Sequence, residues 1–204
     1  MREQRLFTIE GNVGASKTTT CKAIEATGRA GVIYEPVAGW KERYEENILD
    51  LFYNDPSRYA FTFQLAAFSL RSKTWREVLA LTDHSTVFLD RSIFSDRYIF
   101  AQSLYEQGIM SATEFQIYSE NWDFLVSQYC VKPEKFIYIR TPAEVCLERV
   151  RTRGRKEEES VTLEYLQQLE KRHDEWLQNN NDCVILSGIE HIDANALLDE
   201  LGIP

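Results

Sequence analysis

The 204-residue chain predicts an α/β fold: one five-stranded parallel sheet with helices on both faces. Three observations predict it. Five short apolar runs alternate with stretches of helical periodicity. The first run passes through a glycine-rich turn straight into a helix. The second and third end in carboxylates, Glu35 and Asp90, at the strand ends where open α/β sheets bind ligands. The crossovers are expected to be right-handed.

Composition narrows the classes. An apolar content of 44% and a charged content of 27% describe an ordinary globular chain, read as a single domain over residues 1–204. A net charge of −9 argues against a nucleic-acid polymer as partner and leaves room for a small anionic substrate. The four cysteines (Cys21, Cys130, Cys146, Cys183) form no C-x-x-C and read as thiols of a reducing compartment. A core strand begins within six residues of Met1, so no signal peptide is expected, and no apolar run approaches a membrane span. A cytoplasmic protein is therefore expected.

The stretch Arg5–Thr20, RLFTIEGNVGASKTTT, carries the strongest signal. Leu6, Phe7 and Ile9 suggest a buried strand. The turn Gly11-Asn12-Val13-Gly14-Ala15-Ser16 follows, and Lys17-Thr18-Thr19 opens a helix reaching about Ala26. The pattern is nearly G-x-x-x-x-G-K-[ST], whose backbone N–H groups cradle a polyphosphate at a helix N-terminus. Lys17 would reach the outer phosphates and Thr18 would ligate Mg²⁺. Ser16 departs from the pattern, because glycine normally precedes the lysine. A Cβ costs on the order of 1–3 kcal/mol if φ is positive there. From the sequence alone, Ser16→Gly is expected to raise kcat/KM for ATP.

Val32-Ile33-Tyr34 forms the second strand, leading to Glu35-Pro36-Val37. Trp40 follows, and residues 42–52 read as a helix. Tyr53-Asn54-Asp55-Pro56 breaks it, with Ser57 as the expected cap of a long helix over about 58–81. On that helix Gln64, Ala67 and Arg71 share a face beside Phe63. They either read the edge of a polar heterocycle or mark the helix boundary turning to water. Thr86 to Leu89 is the third strand, ended by Asp90-Arg91-Ser92. Asp90 would give a second contact to Mg²⁺, and Arg91 would lie between Asp90, Glu35 and the phosphates. Two helices follow, over 93–107 and 111–128. Asp96 and Phe100 share a face of the first.

Lys135 to Arg140 is the fourth strand, and a helix runs from Ala143 to Arg151. The loop RTRGRKEEE, residues 151–159, is either a solvated charged loop or a mobile lid whose arginines close over phosphates. Thr162 to Leu177 is an amphipathic helix, with His173 read as a hydrogen-bonded helix residue and not a catalyst. Cys183 to Leu186 gives the fifth strand, and Ala194 to Leu201 the last helix.

Taken together, GNVGASKTT, YEPVAGW, FYNDPSRYAFTFQ, LDRSIFSDRYIFAQSLYE, RTRGRKEEE and LEYLQQLEKRHDEWL resemble the deoxyribonucleoside kinase family, particularly its deoxycytidine/deoxyguanosine kinase branch. The resemblance spans about Ile9 to Leu177. It implies a P-loop kinase fold with a short arginine-rich lid, commonly a homodimer, using ATP or another NTP with Mg²⁺ to phosphorylate a deoxynucleoside. By that resemblance Gly11 to Thr19 hold the donor, with Thr18 and Asp90 at the metal. Glu35 is the general base, and Arg91, Lys17, Arg153 and Arg155 act at the transferring phosphate. Tyr53 and Glu158 hold the 3′-hydroxyl. Gln64 pairs with the base edge, Phe100 stacks on it, and Trp40 and Phe63 wall the pocket. Ala67, Arg71 and Asp96 match the branch that takes deoxycytidine and deoxypurines over thymidine. Two other readings remain: a thymidylate-kinase-like nucleoside monophosphate kinase, and a catalytically impaired homologue, marked by Ser16, serving as a binding or assembly subunit.

Overall fold

The computed structural model describes residues 4–36, 39, 43–129 and 131–204. Five parallel strands form one sheet: β1 (Arg5–Glu10), β2 (Gly31–Ile33), β3 (Thr86–Asp90), β4 (Lys135–Arg140) and β5 (Cys183–Ser187). Their order is β2-β3-β1-β4-β5, with every neighbouring pair parallel. The expected sheet is thus the observed one, built by helical crossovers as parallel pairing requires.

Helix α1 (Lys17–Ala26) follows the glycine-rich turn. The next helix, α2 (Ile48–Asn54), is shorter than the expected 42–52. The Asn47 side chain accepts from the N–H groups of Leu49 and Asp50, which fixes a later start. Helix α3 (Pro56–Leu81) begins with proline, whose missing N–H costs nothing in a first turn. Asp55 and not Ser57 caps it, taking the Arg58 N–H at 3.1 Å. Then come α4 (Ile93–Ser95), a π-wound stretch (Asp96–Ala101) and α5 (Gln102–Glu106), running on as one rod. The wider π turn was not legible in the sequence, and it carries Asp96 and Phe100. Helix α6 (Ala112–Tyr129) starts from a reciprocal Ser111–Glu114 capping box. Helices α7 (Ala143–Arg153), α8 (Leu163–Leu177) and α9 (Ala194–Glu200) complete the chain.

Both sheet faces are covered. Phe7, Ile9, Phe88, Ile137 and Ile139 pack on Cys21 and Ile24 of α1 and Leu197 and Leu198 of α9. Leu6, Val87 and Leu89 pack on the other side against Phe68 and Trp75 of α3 and Tyr118 and Trp122 of α6. Burial of this apolar surface, worth roughly 25 cal/mol per Å², drives the assembly. A third cluster fastens the turn itself: Ala15 is buried with Cys146 and Val150 of α7 and Leu166 of α8.

Strand register aligns the site. Ile33 pairs with Leu89, and Leu89 with Thr8. Glu35 and Arg91 follow just beyond the ends of β2 and β3, at the same C-terminal edge where β1 ends in Glu10.

Candidate active site

A cavity of about 530 Å³ opens at this edge. Its walls include the turn from Val13 to Thr19, Glu35, Tyr53, Phe63, Gln64, Ala67, Arg71, Asp90, Arg91, Asp96, Phe100, Arg153, Arg155 and Glu158. Nearly every candidate residue is therefore brought together from elements far apart in the chain. Trp40 lies outside the described residues. Gly11 and Asn12 stand behind the wall, where both are buried.

The turn is built by close approach. Gly14 has φ +83°, and a Cβ there would fall 2.5 Å from the Cys146 carbonyl oxygen. Glycine is required on both counts. The Asn12 side chain donates to the Leu166 carbonyl at 2.8 Å and accepts from the Val13 N–H at 2.8 Å, tying the turn to α8. Lys17 is buried, and its ammonium donates to the Asn12 carbonyl at 2.8 Å. Burial lowers the Lys17 pKa to about 8, assisted by Arg91. Ser16 adopts φ +67°, the left-handed conformation that glycine favours, at a cost of about 1–3 kcal/mol. Its hydroxyl does not cap α1 and instead accepts from Arg149 Nη1 of α7 at 3.1 Å.

Thr18 Oγ1 donates to Asp90 Oδ2 at 2.6 Å. Asp90 Oδ1 is buried and has no hydrogen-bond partner among the described residues. An open carboxylate oxygen beside a hydroxyl at the mouth of a phosphate cradle is a hard donor set that suits Mg²⁺. Burial raises the Asp90 pKa, and neighbouring Glu35 adds to the rise.

Glu35 is the hub. Its Oε1 accepts from Arg71 Nη2 at 2.9 Å and faces Arg91 Nε at 3.3 Å. Oε2 has no hydrogen bond to a described residue. Burial pushes the Glu35 pKa up, but Arg71, Arg91 and Lys17 overcome it and hold the group at about 2. Arg91 has φ +72°, strained for a residue with a Cβ. It is fixed by its N–H to the Ile9 carbonyl at 3.0 Å, Nη2 to the Gly11 carbonyl at 3.1 Å, and its Cζ 4.7 Å from the Phe100 ring centre.

Helix α3 forms the opposite wall. Gln64 and Arg71 are both 2% exposed, so their stripe does not turn to water. Arg71 also donates to Asp96 through Nε at 2.9 Å and Nη2 at 3.2 Å. Burial lifts the Asp96 pKa and Arg71 opposes it. Phe63 stacks on Phe52 with ring centres 4.8 Å apart. Across the opening, Glu158 is buried and paired with Arg153 Nη2 at 2.5 Å and Arg155 Nη1 at 3.3 Å. The charged loop is thus folded back on itself over the cavity.

Sequence reading missed three residues here. Glu10 is fully buried at the end of β1, where burial raises its pKa and the Ser92 hydroxyl and Arg91 only partly oppose this. A carboxylate ending a strand, the signal used for Glu35 and Asp90, could have found it. Arg149 precedes Arg153 by one helical turn, so the pair shares a face of α7. Tyr165 of α8 lines the cavity with no comparable signal. His173 behaves as expected at one nitrogen, with Nδ1 at 2.7 Å from the Leu169 carbonyl. Burial lowers its pKa to about 3, so the imidazole is neutral.

A parallel sheet carrying a glycine-rich phosphate turn, strand-end carboxylates and an arginine-rich flap defines a P-loop nucleotide-dependent phosphotransferase class. The model of the deoxynucleoside kinase family matches residues 7–200, and the chain belongs to that family. It is similar to deoxycytidine kinase of Mus musculus, 36% identical over 84% of this chain and 74% of that protein. Deoxycytidine kinase 2 of Gallus gallus is 33% identical over 92% of this chain and 79% of its own length. The mitochondrial thymidine kinase 2 of Homo sapiens is 32% identical over 86% of this chain and 65% of its own length.

Proposed function

We propose that the chain, as a single kinase domain, transfers the γ-phosphate of ATP or another NTP to the 5′-hydroxyl of a deoxynucleoside, preferring deoxycytidine and deoxypurines to thymidine. The observation that carries this is Glu35, held through one oxygen by two arginines and bordering the same cavity as the phosphate turn. Its free oxygen accepts the proton of the 5′-hydroxyl as the bond to phosphorus forms. A pKa near 2 makes Glu35 a weak base, and this suits phosphoryl transfer, which depends chiefly on positioning and charge stabilisation.

Each residue then has a task. Residues 11–19 cradle the donor, and Lys17 leaves the Asn12 carbonyl for the phosphates. Thr18 and Asp90 would hold Mg²⁺, which when bound neutralises phosphate charge. Arg91 orients the acceptor hydroxyl. Arg153 and Arg155 exchange Glu158 for the transferring phosphate, and Glu158 with Tyr53 takes the 3′-hydroxyl. Gln64 and the Arg71–Asp96 pair meet the polar edge of the base, Phe100 stacks on it, and Phe63 and Ala67 shape the wall. Arg71 and Asp96 favour an amino-bearing base edge and crowd the thymine methyl, which supports the substrate order.

The exposed Ile117 and Phe124, seven apart on α6, support a homodimer. Among the described residues no helix is long and apolar enough to cross a membrane, and we place the enzyme in the cytoplasm on the cysteine usage. The test is phosphorylation of the four deoxynucleosides and of thymidine monophosphate with Mg-ATP, beside Glu35→Gln. Transfer to deoxycytidine that Glu35→Gln lowers by about 10²-fold or more is expected. Transfer to the monophosphate alone, or to none, overturns the proposal.

A further inference from the structure

The phosphate turn holds one residue that its sequence pattern does not explain. Ser16 occupies φ +67°, where glycine would fit without strain. Its hydroxyl gives nothing to helix α1. It accepts a hydrogen bond from Arg149 Nη1 at 3.1 Å, across 133 residues of chain. Arg149 lies on α7, one turn before Arg153, and both border the cavity with Ser16.

We infer that Ser16 is a positioning residue that makes Arg149 part of the phosphate cradle. A serine hydroxyl accepts and donates at once. While it accepts from Arg149, its own proton remains available for an oxygen of the donor polyphosphate. The guanidinium has further N–H groups for the same phosphate, in a planar fork suited to it. A donor polarised by a cation behind it forms the stronger hydrogen bond. Serine therefore adds to the backbone cradle one hydroxyl donor and one pre-oriented arginine, neither of which glycine supplies. The strained φ is kept for what the contact does at the donor site, not for stability. This reverses the sign expected from the turn alone: glycine at position 16 weakens the donor site.

The inference rests on the kinase reading for its substrate, and the experiment separates the two. Wild type, Ser16→Ala, Ser16→Gly, Arg149→Gln and the Ser16→Ala/Arg149→Gln double variant are compared. The measurements are KM for Mg-ATP, KM for deoxycytidine, kcat, Tm, and ATP affinity by titration calorimetry without nucleoside. Ser16→Ala is expected to weaken ATP about fivefold in both KM and calorimetric Kd, with KM for deoxycytidine within twofold. Ser16→Gly is expected to lose as much ATP affinity while Tm rises, because the strain is gone. Loss of affinity with gain of stability is a split that a merely structural residue does not give. The double variant is expected to be less than additive: removing the Ser16 hydroxyl costs less ATP affinity beside Arg149→Gln than in wild type, because only its own donor is then lost. Ser16→Gly binding ATP as well as wild type or better overturns the inference, as does full additivity in the double variant. Absence of phosphate transfer by wild type defeats the kinase reading, while the calorimetric comparison still decides the role of Ser16.

Discussion

Arg71 bonds two carboxylates at once: Asp96 through Nε and Nη2, and Glu35 through Nη2 at 2.9 Å. The residue expected to recognise the base is therefore wired to the residue expected to take the proton. Arg71, Asp96 and Arg91 are each nearly inaccessible to solvent, so the network works at low dielectric.

Removing Arg71 alone leaves Asp96 buried without its partner. Arg71→Met is expected to cost about 3–5 kcal/mol, a fall in Tm of about 6–20 °C by thermal unfolding. The double variant Arg71→Met/Asp96→Ala is expected to be more stable than Arg71→Met. It should also accept thymidine, because the charge pair no longer crowds the methyl group. A double variant with unchanged thymidine kcat/KM refutes the assignment of this pair to the base.

Glu35→Gln is expected to lower kcat by about 10²- to 10⁴-fold, the usual range for a general base. KM for the nucleoside should move far less. Single-turnover phosphate transfer checks this, and a loss below tenfold removes Glu35 from the chemistry.

The pH dependence follows from two shifted groups. The Glu35 pKa is depressed from 4.5 to about 2, so its contribution to stability is full above pH 4.5 and fades as pH falls towards 2. It produces no acid limb in the rate near neutrality. The Lys17 pKa is depressed from 10.5 to about 8, so its charged form is disfavoured in the fold. Below pH 8 that disfavour persists, and it is relieved between pH 8 and 10.5 as the unfolded chain binds more protons. For catalysis the sign is opposite, since the charged ammonium is needed. The kcat/KM for ATP is expected to fall above pH about 8, while kcat holds to higher pH because bound phosphate raises the Lys17 pKa. A profile of kcat/KM without an alkaline limb, or one retained in Lys17→Met, contradicts this.

Gly14→Ala tests the close approach of turn and α7. The added Cβ would lie 2.5 Å from the Cys146 carbonyl oxygen at φ +83°. A destabilisation of about 1–3 kcal/mol from backbone strain alone is expected, with ATP binding lost first. Gly28→Ala is the control, having equal strain at φ +70° and nothing within 4 Å of its Cβ. It should lose stability and keep ATP binding.

Much of this was legible in the sequence because it is local. The turn, the strand-end carboxylates and the periodicity of α3 are patterns of neighbouring residues, and they gave the sheet and most of the cavity wall. Contacts between distant segments were not legible. No spacing announces that Ser16 meets Arg149, or that Arg71 reaches Glu35. The π turn at Asp96–Ala101 was equally hidden, because hydrogen bonds that close one residue further along leave no mark on so short a stretch. The face of Gln64 and Arg71 was ambiguous until burial decided it.

Glu35 emerges from a strand only three residues long at the rim of the sheet, so two guanidinium groups and not the backbone ladder set its place. One of those groups, Arg71, is also the residue we propose as the discriminator of nucleobases. On that proposal, selection for a new substrate at position 71 is expected to erode turnover in the same step. Lineages that broadened their diet would be expected to carry a second, compensating change that steadies the carboxylate by another route.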